Sequence, residues 1–416
     1  MTPWQPARAV VAHPAAEPPP APPRLGVIWS LLTVNVLGFI GTPIVPIPHT
    51  VGLLLTMPAL AVALVLALLR NPRLQIRPNA FLTILTVLAV TSLASSLRFE
   101  SGFGALFRSG RMLTFLATLW LLTPWWRGDL LFVRYHVRIL CAVLTTALLG
   151  LAVAPGTAMN GPSGNRLHNV IWPMPPPHVG QYAAVACGLV ITMWVAGVVR
   201  ARTVAAIVPA TFGVLLLTHT RTALAGLVIG ALVAALSLVA TTPRARRFVS
   251  WVVIGGGLGA LVLGPFVVRW LARGQDSEQI TSLTGRGHVW SALLELPRTR
   301  AEALLGVGLG DKSFGGLAID NAWLTNYHEQ GLIGVGLVAL AYLAMLFAAA
   351  ARPPSPARAC ALFLITYSIA VSFTEVGLGD ASSYALHLAV AASLLQPGEP
   401  AGPRARAGPG TKEGTP

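Results

Sequence analysis

Residues 331–350 read GLIGVGLVALAYLAMLFAAA, twenty residues without one charged side chain. A helix needs about 20 apolar residues to cross the hydrocarbon of a bilayer. Runs of the same kind recur near 25–41, 50–69, 80–97, 111–126, 137–154, 179–199, 203–218, 222–240, 248–268, 319–350 (apolar from Gly331), 357–376 and 381–396. The expected fold is an all-α, polytopic transmembrane helix bundle of about 12 spans. Composition points the same way. Of the 416 residues 54% are hydrophobic and 10% charged, against roughly 25% charged in soluble chains. That deficit excludes a water-soluble fold, whole-chain disorder and nucleic-acid binding, so the net charge of +15 needs a membrane explanation. Cys141, Cys187 and Cys360 sit inside apolar runs and indicate no disulfide framework. Residues 1–24, rich in Pro and Ala, lack the apolar core of a signal peptide and read as a disordered tail, as does the Gly/Pro-rich end from Pro397.

Arginine in the short loops sets orientation. One side collects Arg70, Arg73, Arg77, Arg127, Arg134, Arg138, Arg200, Arg202, Arg244, Arg246, Arg247, Arg352 and Arg358, and both tails fall there too. The other side's short loops hold only Arg98, Arg108, Arg111, Arg166 and Arg221. Both termini are therefore expected to be cytoplasmic, and the long segment 269–318 to lie outside. An arginine on the outer side opposes the bias, so something other than orientation should keep it there. Arg221 is the sharpest case, in the tight turn Thr218-His219-Thr220-Arg221-Thr222 between two apolar runs. A single such residue reads as a snorkelling anchor; several on one face point to an anion site.

The outer segment carries its own pattern. Thr284-Gly285-Arg286-Gly287-His288-Val289-Trp290 opens a short amphipathic helix with Val289, Trp290, Leu293, Leu294 and Leu296 on its apolar side and Pro297 as its stop. The glycine-rich turn Leu304-Leu305-Gly306-Val307-Gly308-Leu309-Gly310 follows, without the strand–turn–helix context of a nucleotide loop. Asp320-Asn321 then precedes Thr325-Asn326-Tyr327-His328-Glu329-Gln330 and the run from Gly331.

In this order the elements resemble the O-antigen ligase and O-antigen polymerase family of membrane glycosyltransferases. Thr220-Arg221-Thr222-Ala223 is similar to the family's arginine at the outer start of a helix. Gly285-Arg286 with Trp290 is similar to its Gly-Arg…Trp element, Leu305-Gly306-Val307-Gly308 to its Leu-Gly-x-Gly turn, and Gly331-Leu-Ile-Gly334 to its closing glycines. Arg166-Leu167 before Pro173–Pro177 resembles the loop ahead of the sixth span, and Thr374-Glu375 a recurrent element near the end. The match covers roughly residues 205–345, a core containing the outer loop 269–318. Spans at 25–204 and 346–396 flank it, with tails at 1–24 and 397–416. One position departs: the family usually has His-Asn where this chain has Asp320-Asn321.

The resemblance implies transfer of a glycan from a polyprenyl diphosphate carrier to a glycan or lipid acceptor hydroxyl at the outer face of the cytoplasmic membrane, without cofactor. Arg111, Arg166, Arg221 and Arg286 are the expected diphosphate ligands, bordering one cavity, with Asn321 among the substrate-binding residues. Arginine suits the task because its planar fork binds phosphate oxygens bidentately. The acceptor hydroxyl needs a base; Asp320 is the first choice and His328 the second. Plain structural readings stand beside these: Asp320 as a helix cap or ion-pair partner, His328-Glu329 as a solvated helix face, Arg286 as a headgroup anchor. Asp276-Ser277-Glu278 is similar to the acidic metal motif of other lipid-linked glycosyltransferases but reads better as a solvated pair, so no metal is expected. No zinc-type Cys/His spacing, Gly-x-Ser-x-Gly or Walker motif occurs. A secondary transporter or flippase of lipid-linked glycan, and a non-catalytic assembly protein, remain open alternatives.

Overall fold

The computed structural model describes residues 24–37, 49–161, 164–272, 286–310, 312–377 and 379–397. The expected tails at 1–24 and 397–416 fall almost wholly, and Asp276 and Glu278 wholly, outside these. The described chain is mostly helical, with four helices long and apolar enough to cross a membrane: Ala80–Arg98 (α3), Leu131–Val153 (α5), Pro176–Val195 (α7) and Ala322–Ala350 (α13). Between and around them run α1 (Leu25–Val36), α2 (His49–Arg70), α4 (Gly102–Leu122), α6 (Pro155–Met159), α8 (Ala201–Leu217), α9 (Arg221–Leu236), α10 (Pro243–Ala272), α11 (Arg286–Glu295), α12 (Arg300–Leu305), α14 (Pro356–Val371) and α15 (Ser383–Leu394). Two tiny hairpins, Asn160–Gly161 with Gly164–Asn165 and Ser313–Phe314 with Leu317–Ala318, are the described strands. The three cysteines are unpaired.

Helix α7 is buried nearly all round, as an evenly apolar helix should be. Its Gly188, together with Gly226 and Gly230 of α9, makes room for Phe363 and Tyr367 of α14. A Cβ at Gly226 would stand 2.9 Å from Tyr367, and one at Gly230 2.9 Å from Phe363. Gly226-x-x-x-Gly230 thus works as a small-residue groove, the device that lets helices approach closely where lipid supplies no hydrophobic drive.

At one end of the bundle, arginines sit on helix carboxyl termini. Arg352 donates to the carbonyls of Leu394 and Leu395, and Arg358 to that of Arg352. Cations there oppose the negative end of the helix dipole. The other end collects the carboxyl ends of α3, α8 and α14 and the amino ends of α4, α7, α9, α13 and α15. Helix α4 starts nine residues before the apolar run read at 111–126. Two arginines depress local hydropathy there but do not stop a helix whose charges find partners.

Helix α13 is the decisive element. Gly331 breaks it, with φ 66° and ψ −166°. In a continuous helix Trp323 and Tyr342 would lie about 28 Å apart, yet their ring centroids are 6.2 Å apart. The first segment, 322–330, therefore folds back against the bundle, and 332–350 is the continuous segment. The break leaves the His328 and Glu329 carbonyls without their helical donors. The backbone N–H groups of Val307 and Gly308 supply them, each at 3.0 Å. Gly306 and Gly331 meet backbone to backbone: a Cβ on Gly331 would overlap the Leu304 carbonyl and the Gly306 nitrogen. Gly331→Ala should destabilise the protein by on the order of 3 kcal/mol or more, through left-handed strain plus overlap; thermal unfolding in detergent measures it, and a wild-type melting temperature would refute this packing.

Candidate functional site

The charged end contains two adjoining groups. The first is built on the turn between α8 and α9. Leu167 donates its backbone N–H to Leu217 at 2.9 Å, and Arg166 donates Nε to the Thr218 carbonyl at 2.9 Å. His219 takes φ 48°, closing the turn, and Thr220 donates to Pro176 at the start of α7. Arg221 is the first residue of α9. A cation at the positive end of a helix dipole costs the helix stability but concentrates positive potential for an anion. Thr222 donates to Glu375 Oε1 at 3.2 Å, which brings the loop 372–382 against this turn.

The second group is a buried ion network. Arg108 of α4 bridges Glu329 Oε1 at 3.1 Å and Asp380 Oδ2 at 2.9 Å. Lys312 Nζ meets Asp380 Oδ2 at 3.3 Å, and its backbone N–H donates to Glu329. Burial alone pushes the Asp380 carboxyl up, but Lys312, Arg108 and Arg111 overcome this and hold it well below the usual carboxylate range. Gln330 donates to Ser92 and to the Gly379 carbonyl, clamping the folded-back segment onto α3 and the 372–382 loop.

The structure brings Arg166 and Arg221 to one turn. Arg111 lies elsewhere at the same end: its Nη2 donates to the Asn35 carbonyl at 2.8 Å, and its charge reaches Asp380. Arg286 opens α11, whose Val289 and Leu293 pack with Ile319 in a separate small core. Trp290 donates to the Ile319 carbonyl at 2.7 Å. Asp320 follows directly, with φ 47°. Asn321 is the amino cap of α13, its Oδ1 accepting from Trp323 and Leu324 and its Nδ2 donating to Phe373.

His328 receives a hydrogen bond from Arg298 Nη2 at 2.9 Å on Nδ1. A guanidinium only donates, so Nδ1 must offer its lone pair and the proton of a neutral ring sits on Nε2. Both ring nitrogens are then committed. The solvated-face reading of His328-Glu329 fails for Glu329, which is 3% exposed. Glu329, Asp380 and Lys312 are the functional candidates missed in the sequence. The available signal for Glu329 and Asp380 was an acidic residue bordering an apolar run, where an ionisable group points to function by default.

An open apolar groove of about 150 Å³ runs between α5 and α8, lined by residues that include Cys141, Leu144, Leu148, Ile207 and Val214. Val214 lies one helical turn from Thr218, and so from Arg166. Among the described residues no three His, Cys, Asp or Glu side chains gather as a metal site. No protein-family model matches the chain, and no curated protein matches it in sequence.

Proposed function

We propose that this chain is a membrane glycosyltransferase, resembling O-antigen ligases and polymerases, that moves a glycan from a polyprenyl diphosphate carrier to an acceptor hydroxyl. In this reading the chain has about 12 spans, both termini in the cytoplasm, and the segment 269–318 at the outer face of the cytoplasmic membrane. The observation that carries it is the α8–α9 turn, which holds Arg221, is bound by Arg166 at the Thr218 carbonyl and by Glu375 at Thr222, and lies one helical turn beyond Val214 of an apolar groove. In this reading part of the prenyl chain lies along the apolar groove and the diphosphate meets Arg166 and Arg221.

The acceptor oxygen attacks the anomeric carbon and the bond from that carbon to the diphosphate oxygen breaks. The diphosphate leaves with the electron pair, its growing charge met by Arg166 and Arg221. A base takes the hydroxyl proton. Asp320 holds that role in this proposal, since His328 has no uncommitted lone pair in this arrangement. Arg111, bound to the neutral Asn35, adds a cation at this end of the bundle, whereas Arg108 and Lys312 are matched by Glu329 and Asp380.

The direct test is purified protein in vesicles with lipid-linked glycan and acceptor. Glycan transfer supports the proposal; movement of intact lipid-linked glycan across the bilayer without transfer would favour a transporter, the reading to which the broken helix α13 lends weight. In a deletion strain, single repeat units accumulating on lipid indicate a polymerase and long chains a ligase. Transfer is expected to persist in EDTA, because arginines take the place of a divalent cation. Complete loss, restored by magnesium or manganese, would move the chemistry to Asp276 and Glu278.

A further inference from the structure

We propose that the apolar groove between α5 and α8 reads the isoprene units nearest the diphosphate and nothing further along the carrier, with Ala206 and Ala210 setting that reading. The inference rests on the function proposed above. Both helices run toward the charged end, and the lining steps along them by helical turns. Cys141, Leu144 and Leu148 of α5 face Ala206, Ala210 and Val214 of α8. Leu144 and Val214 are buried and form the floor, whereas Ala206 and Ala210 are exposed and form a low rim. Two hydroxyls border the groove, and both turn back to their own helix. Thr145 donates to the Cys141 carbonyl at 2.8 Å, and Thr211 to that of Ile207 at 2.9 Å. What is left facing the groove is hydrocarbon and one thiol.

Length decides how much of a tail is read. From Ala206 to Val214 a helix rises about 12 Å. An extended chain advances about 1.2 Å per bond. At four bonds to the unit, an isoprene spans about 5 Å, so the groove takes about two. Its volume of about 150 Å³ encloses about six carbons, a little over half of two units, and the remainder faces lipid. The groove alone does not favour a prenyl tail over a bilayer acyl chain, because lipid is as apolar as the lining. The choice comes from the anchor. Val214 lies one helical turn from Thr218, whose carbonyl takes Arg166 Nε at 2.9 Å, and Arg221 opens α9 just beyond. A diphosphate held there raises the local concentration of its own tail at the groove. Past Ala206 the tail returns to lipid, so further units should add nothing.

The test uses the full chain in lipid nanodiscs and farnesyl diphosphate carrying a diazirine, on the second isoprene in one probe and on the third in another. Light expels nitrogen from the diazirine, the resulting carbene inserts into a neighbouring C–H bond, and mass spectrometry locates the adduct. The second-unit probe should label segments 141–148 and 206–214, and the third-unit probe should label lipid. Ala210→Leu, at an exposed position, should weaken farnesyl diphosphate binding at least about tenfold. Its melting temperature and its binding of inorganic diphosphate should stay as in wild type. Labelling of other segments by the second-unit probe, equal labelling of the groove by both probes, or unchanged affinity in Ala210→Leu overturns the inference. The glycan-transfer assay then still judges the proposed function. Displacement of the probe as readily by farnesol as by farnesyl diphosphate also overturns it, because the groove would then seat any lipid. If neither prenyl nor inorganic diphosphate binds, the proposed function fails and the inference with it.

Discussion

Arg108→Ala is expected to lower the unfolding free energy by about 3–5 kcal/mol, because it leaves buried Glu329 without its ion pair and takes one of two cations from Asp380. Arg108 supplies Glu329 with its ion pair and Asp380 with the shorter of its two. Both carboxylates are nearly inaccessible to water, so neither can be rehydrated without opening the contact between α4 and α13. Replacing Arg108 and Glu329 together by Met should recover most of the loss, since Asp380 keeps Lys312 and no unpaired charge remains on α13. Chemical unfolding in detergent measures both variants. Wild-type stability in Arg108→Ala would mean that water enters the network freely.

Acid adds a second signature. Asp380 titrates below its ordinary value, so its stabilising contribution is present above the unfolded-state value, about 3.9, and disappears as pH falls through the lower folded value. The Asp380 contribution to wild-type stability should therefore persist down to about pH 4. In Arg108→Ala the Asp380 carboxyl loses one of its cations and its folded-state value moves up toward the unfolded one, so the loss of stability on acidification should be smaller than in wild type.

Much of this fold is written in local features. Apolar runs mark the helices, Pro297 ends α11, and Arg221 stands out because it opposes the charge bias of its loop. The start of α4 is hidden because hydropathy measures fitness for lipid, whereas Arg108 is neutralised by carboxylates far along the chain. Those partners are remote: Glu329 is 221 residues away and Asp380 is 272. The His136–His387 hydrogen bond at 2.7 Å likewise joins residues 251 apart. No window along the chain contains such pairs. The fold-back at Gly331 was hidden for a different reason. Glycine permits the conformation, but the stabilising donors come from Val307 and Gly308, in a turn whose role appears only once both are in contact.

Asp320→Asn should reduce turnover by about 10²–10⁴, the usual worth of a general base, while carrier binding persists. Asn is the informative replacement because the position is left-handed, at φ 47°. Asn accepts that backbone almost as readily as Asp, whereas Ala would add roughly 1–2 kcal/mol of strain and confuse stability with chemistry. The residue is also well placed for action. It lies between Ile319, pinned by Trp290, and Asn321, pinned to Trp323, Leu324 and Phe373, so its backbone is fixed on both sides. A fixed base removes much of the barrier through positioning even when its intrinsic basicity is modest. His328→Ala should cost about tenfold or less in kcat, since Arg298 occupies Nδ1 and the ring serves to hold that guanidinium. Single-turnover rates on equally folded variants decide between them. A larger loss in His328→Ala than in Asp320→Asn would require Arg298 to swing away during the reaction and would transfer the base to His328. Equal wild-type rates in both would leave the arginines at the α8–α9 turn as the only part of the mechanism still supported, with substrate itself or water taking the proton.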